Sequence, residues 1–321
     1  MLLALIVRRI LYALPIAIGV TVVCFSLVHL APGDPLNAVV GPDAPADVVA
    51  SLKRAYGFDK PLPIQYAKWL LRAASGDLGR SVATGRPVTE EMRHSIGNSV
   101  ALALVGAVIG FTFGCLFGGI AGYAQGGVVD RVASFFALLG VSVPHYWLGM
   151  VMVILFSVEF GALPAIGIGP HGAAIWAWTG ADWAHAILPA ITLAVIPLGI
   201  VTRTVRAAVA EALNQEFVQA LRAKGLRPGA VLRHVMKNVA PVCLAVMGIQ
   251  FGYMLGGSIL VETVFAWPGT GFLMNDAIFR RDIPVLQGVI LVLAMFFVAL
   301  NLIVDIAQTL IDPRMRRGTT R

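Results

Sequence analysis

The sequence predicts an all-α membrane protein with six transmembrane helices. Three observations lead there. Only 13% of the 321 residues are charged and 58% are hydrophobic, with a mean hydropathy of +0.82, whereas a soluble domain carries about 25% charged residues. Six uncharged runs, at 10–31, 98–124, 132–158, 186–202, 239–261 and 284–304, approach or exceed the roughly 20 residues a helix needs to cross the hydrocarbon core. Each run is continuously apolar, while the strands of a membrane barrel alternate.

The first run is long for the apolar core of a signal peptide. It is followed by "LAPGDP" and not by a small-residue cleavage site, so a retained helix is expected. Segment 32–97 is the largest hydrophilic piece, with seven acids against eight bases. It holds two amphipathic patches, Val48, Val49, Leu52 and Tyr56, then Ile64, Tyr66, Trp69 and Leu70. These suit short helices lying on the membrane or over the outer mouth, either as a packed cap or as a docking surface.

The second run repeats glycine every fourth residue, at Gly106, Gly110, Gly114, Gly118 and Gly122. This makes one bare helix face on which another backbone can approach closely. The approaching helix belongs to this chain or to a second membrane subunit, or else the face lines a path. The third run contains His145 beside a proline in "SVPHYWLGM", placed either in a cavity or in ordinary packing. Residues 161–178 are apolar, but Pro164, Pro170 and several glycines and tryptophans predict an interfacial loop. In the last run Asn301 and Asp305 lie one turn apart, and Asp305 is either functional or a residue snorkelling near the membrane edge. Glu262 is expected at the outer surface, at the end of the fifth run. Cys24, Cys115 and Cys243 all lie in apolar runs without metal-like spacing, which reads as small buried hydrophobes.

Between the fourth and fifth runs stands 203–238, far longer than a connection between helices requires. Its segment EFVQALRAKGLRPGAVLRHVMKN (216–238) carries five Lys/Arg and one acid. Good helix formers run from Glu216 to Lys224, with Phe217, Val218 and Leu221 on one side. Gly225 fits the left-handed C′ position, and Leu226 with Leu221 forms the apolar pair of a Schellman ending. Pro228 blocks resumption of the same helix. A second piece, 230–238, is expected to lead into the fifth run. The whole reads as a built protrusion for a soluble partner.

Six crossings put 1–9, 125–131, 203–238 and the C-terminus on one side, with fourteen Lys/Arg against ten on the other. Eight of those ten lie in 32–97, whose length exempts it from the positive-inside bias. Both termini are therefore expected to be cytoplasmic. The net charge of +7 follows from this bias and calls for no nucleic acid. The chain has no G-x-x-x-x-G-K-[ST], H-E-x-x-H or G-x-S-x-G pattern, so no enzyme is predicted.

Six motifs in order then match a known family: "APGDP" (31–35), "GDLGRSV" (76–82), "SVPHYWLGM" (142–150), "LPAITL" (188–193), "VETVFAWPGTGFLMNDAIFRRDIPVLQG" (261–288) and "DPRMR" (312–316). The chain resembles the B-type membrane subunit of bacterial dipeptide and oligopeptide ABC importers, a branch that includes nickel and glutathione permeases. The resemblance implies a type I importer permease fold in the inner membrane. It divides the chain into a first helix (1–31), an extracytoplasmic segment (32–97), a type-1 transmembrane domain (98–311) and a basic tail (312–321).

In that family the protrusion is the EAA loop, whose coupling helix docks on an ATPase. Here the acid-Ala-Ala-x-x-x-Gly pattern falls on Gln219, Ala220, Leu221 and Gly225, with departures at Gln219 and Leu221. The resemblance extends the coupling role over Glu211, Glu216, Phe217, Gln219, Ala220, Leu221, Arg222, Ala223, Lys224, Gly225 and Leu226. It places Trp267, Pro268 and Gly269 in a rigid turn toward a solute-binding protein, or in a turn that only joins two spans. Implied partners are a homologous C-type permease subunit, two ATPase subunits that use ATP and magnesium, and the binding protein, with no cofactor on this chain. The competing expectation is a stand-alone ion-coupled carrier, for which Asp305 is nearly the only intramembrane charge.

Overall fold

A computed structural model describes residues 2–30 and 60–311. The motifs at 31–35 and 312–316, the first amphipathic patch at 48–56 and the basic tail lie outside these residues. Among the described residues the chain is all-helical, with eleven α-helices: α1 (Leu2–Leu30), α2 (Leu62–Ala74), α3 (Val88–Tyr123), α4 (Val128–Ser142), α5 (His145–Met152), α6 (Gly180–Leu213), α7 (Glu216–Ala223), α8 (Pro228–Gly257), α9 (Ile259–Val264), α10 (Thr270–Arg280) and α11 (Ile283–Ile311). Four of them, α3, α6, α8 and α11, are long and apolar enough to cross a membrane. α1 carries the first apolar run, described over Ile10–Ser26.

The third apolar run is not one straight helix. α4 and the piece His145–Glu159, which ends in a π-helical turn from Val153 to Glu159, are bent by 96°. The cause is local. Pro144 has no N–H and forces the preceding Val143 out of the helical region, to φ −82° and ψ 126°. Counted as one span, the bent pair gives five candidate crossings. The second piece, 230–238, leads into the fifth run as one continuous helix, α8. Pro228 sits in the first turn of α8, where a missing N–H costs nothing.

α3 and α6 form the centre. All five stripe glycines face α6. A Cβ added at Gly110 would stand 3.0 Å from Ala194 O, at Gly118 2.6 Å from Thr202 O, and at Gly122 2.7 Å from Arg206 O. The bare face of α3 thus lies on successive turns of the α6 backbone, and the stripe packs within the chain. α6 starts at a capping box, in which Thr179 and Asp182 bond each other's ends. The buried Asp182 also accepts from His171 N and from Thr179 Oγ1, at 2.9 and 2.7 Å. This ties down the interfacial loop at 161–178, where Trp178 donates to Gly172 O and meets Trp183 edge-on at 5.0 Å.

At the periphery α1 packs on α11, with Gln287 Nε2 donating to Cys24 O at 3.2 Å. α2, which carries the second amphipathic patch, leans on α1 through a Tyr66–Thr21 hydroxyl bond of 2.7 Å and the Phe25, Tyr66 and Trp69 rings. Cys24 and Cys243 are buried, Cys115 is half-buried, and all three are free thiols. Gly118→Ala is expected to destabilise the purified protein by about 1–3 kcal/mol, because backbone blocks the new methyl. Gly119→Ala, with nothing within 4 Å of its Cβ, is expected to be neutral or mildly stabilising. Thermal unfolding of the two variants side by side checks this.

Candidate functional site

The protrusion forms as an eight-residue helix, α7, separated from α6 by only Asn214 and Gln215. Glu216 stands in its first turn and Arg222 in its last, each favourable to the helix dipole. At its end Leu226 N donates to Leu221 O at 3.2 Å and Gly225 N donates to Arg222 O at 2.9 Å. Those are the two bonds of a Schellman motif. Gly225 has φ +76°, so the glycine is there for its left-handed backbone.

One face of α7 is anchored. Val218 is fully buried in a cluster with Val201, Val205 and Val209 of α6 and Val231, Val235 and Val239 of α8. Phe217, Leu221 and Leu226 pack around it, half-buried. The opposite face is open: Glu216, Gln219, Ala220, Arg222, Ala223, Lys224 and Gly225 are all exposed, as is Glu211 at the end of α6. The expected coupling residues thus divide into an apolar root and a polar crown. A helix held this way is packed against both α6 and α8 and presents small and basic side chains on its open face.

Next to this root lies an ion pair, with Asp130 buried and Arg206 partly exposed, whose partners carry no motif signal. Arg206 of α6 donates from Nε to Asp130 Oδ1 at 2.8 Å and from Nη2 to Asp130 Oδ2 at 2.6 Å. Asp130 also accepts from Gly126 N at 2.8 Å and from Ser134 Oγ at 3.3 Å. The pair joins the start of α4 to α6. The only hint in the sequence was an acid in the first turn after a Gly-Gly turn.

At the other end of the molecule the "VETVFAWPGTG" stretch folds inward. Glu262, expected at the outer surface, is completely buried. It accepts from Ser99 Oγ at 2.6 Å, Gly271 N at 2.7 Å and Phe272 N at 3.1 Å, and so caps α10. Trp267 is also fully buried and donates from Nε1 to Asn98 O at 3.0 Å, while Asn98 Nδ2 donates to Pro268 O at 2.9 Å. Gly269 is buried and Pro268 half-buried, so of the Trp-Pro-Gly turn only the proline keeps any surface. A second buried carboxylate, Asp282, accepts from Ser81 Oγ and, at 3.1 Å, from Ala83 N. It joins the "GDLGRSV" stretch to the start of α11.

Two other expectations have a defined place. His145 stands at the bend, with its Nε2 buried and without a hydrogen-bond partner among the described residues. Asn301 donates to Phe297 O of its own helix at 3.0 Å, and Asp305 is half-buried one turn on.

Residues 110–317 match the model of the binding-protein-dependent transport system inner membrane component, and residues 1–103 match that family's N-terminal model. The chain belongs to this family of permeases. The dipeptide transport system permease protein of Alkalihalophilus pseudofirmus is 36% identical over 96% of this chain and 98% of its own length. A probable peptide ABC transporter permease of Sinorhizobium fredii is also 36% identical, over 97% and 98%. The glutathione transport system permease protein of Escherichia coli is 35% identical over the same shares. The permease is thus the non-catalytic, multi-pass inner-membrane component of an ABC importer, and works with ATPase subunits and a binding protein.

Gly225→Ala is expected to weaken the α7 cap by about 1–2 kcal/mol through backbone strain alone, since nothing stands within 4 Å of its Cβ. Gly225→Asn should lose less, because asparagine tolerates the left-handed region. Glu262→Ala leaves the amides of Gly271 and Phe272 without their acceptor and is expected to cost about 2–4 kcal/mol, with Glu262→Gln milder. Melting temperatures of the purified permease rank both pairs.

Proposed function

We propose that α7 is the element through which the ATPase subunits drive this permease, and that its cargo is a small peptide. The single observation that carries the first part is the division of α7. Val218 roots it between α6 and α8, and Gln219, Ala220, Arg222, Ala223, Lys224 and Gly225 form an exposed crown. Rotation of an ATPase against that crown is transmitted through the buried valines to two of the longest membrane helices. Exposed Ala220 and Ala223 let a partner surface approach closely, and Arg222 and Lys224 supply charge at the rim.

In this reading the chain has the type I importer fold with six crossings, α1 being the first and the bent pair the third. Both termini and α7 are cytoplasmic. A homologous C-type subunit completes the path, and a binding protein docks on the outer segment and the loop after α9. Trp267 has no free surface for that contact, so its part is to hold the turn. Peptides are the cargo named for two of the three relatives above, which supports this class for the present chain.

Reversing both Arg222 and Lys224 to Glu is expected to weaken association with the ATPase subunits by at least about tenfold, since unfavourable charge at an interface costs one to several kcal/mol. Co-purification of the complete importer reads this directly. Full assembly and unchanged peptide uptake in the double variant would overturn the coupling role of α7.

A further inference from the structure

The bend at Pro144 lies at the middle of the bilayer. Gly110, at the centre of the apolar run 98–124, faces Ala194, at the centre of 186–202. Gly140 of α4 packs on Val195, and Gly149 of α5 packs on Thr192, Val264 and Phe265, so the break between them stands at that level. With Gly149 turned to α6 and to the end of α9, α5 turns Tyr146, Trp147 and Met150 outward, the first two at 43% and 51% exposure. We propose that this outward face of α5 is the chain's share of the solute path and that Tyr146 and Trp147 touch the passing peptide, an assignment that rests on the transport reading above.

Lipid does not suit this face. In hydrocarbon every backbone group needs a partner, and a helix breaks at membrane depth only where it is buried in protein or lines a wet cavity. Pro144 offers no N–H to Gly140 O, and among the described residues nothing bonds the amides of His145, Tyr146 and Trp147. Neither the Tyr146 hydroxyl nor Trp147 Nε1 has a hydrogen bond among the described residues. Rings with such polar tips are enriched at the two membrane–water interfaces. Here they stand at the midplane.

A dry contact with a second subunit would need a fitted partner for each of these groups, whereas water and a peptide backbone supply partners without a fixed fit. No Lys, Arg, Asp or Glu occurs between Arg131 and Glu159, so no fixed charge of this span holds back a charged end, and passage requires binding weak enough to release. Aromatic faces with one O–H or N–H donor suit peptide carbonyls and varied side chains alike. The neighbouring helix fits the same use. α5 packs on α9, which follows α8 after an interruption at Ser258. Just before that interruption, Gly256 and Gly257 are exposed, with open space where a Cβ would stand. Adjacent interrupted helices are a means by which transporters expose backbone to a solute.

The test places single cysteines in the complete importer in nanodiscs, as Tyr146→Cys, Trp147→Cys, Met150→Cys and, for comparison, Ile18→Cys, an exposed position near the middle of the first apolar run. A charged methanethiosulfonate, which does not enter lipid, is added, and its rate of reaction at each position is read by mass spectrometry. At least two of the three α5 positions are expected to react about tenfold or more faster than Ile18→Cys. Dipeptide with its binding protein and ATP should slow them at least threefold. Rates no higher than at Ile18→Cys at all three positions overturn the proposal, whether lipid or the second permease subunit then covers the face. High rates that the solute leaves unchanged, in an importer that takes up dipeptide, overturn it as well. Dipeptide uptake by the parent importer is measured in parallel: its absence overturns the cargo reading, while the comparison with Ile18→Cys still decides whether this face lines a wet path.

Discussion

The contact on which the rest of this structure depends is the laying of α3 directly on the backbone of α6. In lipid no hydrophobic force drives two apolar helices together, so close van der Waals packing must do it. Five glycines at four-residue spacing remove every Cβ from that face of α3, and carbonyls of Ala190, Ala194, Leu198, Thr202 and Arg206 come to rest where side chains would otherwise be. This joins two helices of 36 and 34 residues over nearly their whole apolar length. Everything functional is then attached to one of the two.

The attachments differ at the two ends. At the end away from α7 the chain uses buried carboxylates. Glu262 and Asp282 each gather backbone amides and a serine hydroxyl from segments distant in sequence. A buried charge is tolerable only when its hydrogen-bonding capacity is filled. That requirement makes these joints directional, and it holds α3, α10 and α11 in one register. At the α7 end the attachment is a cluster of valines around Val218. Apolar packing has no preferred direction, yet β-branched side chains are stiff, so the cluster holds α7 firmly between α6 and α8.

Between these ends lie the two irregular places, the bend at Pro144 and the Asp130–Arg206 pair. A partly exposed ion pair contributes little net stability, because solvent screening and desolvation offset much of the attraction. Its bidentate geometry does fix where α4 begins relative to α6. The start of α4 is pinned by that pair and its end turned by 96°, and an apolar groove lies between α4 and α3.

Much of this was legible in residue order alone. Apolar runs too long for any water-soluble core, the four-residue glycine repeat and the Leu221–Gly225–Leu226 ending each rest on local geometry, which a chain carries with it wherever it folds. The partners of Glu262, Asp282, Arg206 and Trp267 were not legible. Each bond joins residues 76 to 201 positions apart or depends on such a joint, and nothing local distinguishes a buried carboxylate from one at a helix end in water. So the sequence by itself determined which segments leave water, where α7 stops and which face of α3 is bare. Only tertiary structure decided that the bare face meets α6 and that Trp267 points inward, because those outcomes depend on which backbone arrives opposite.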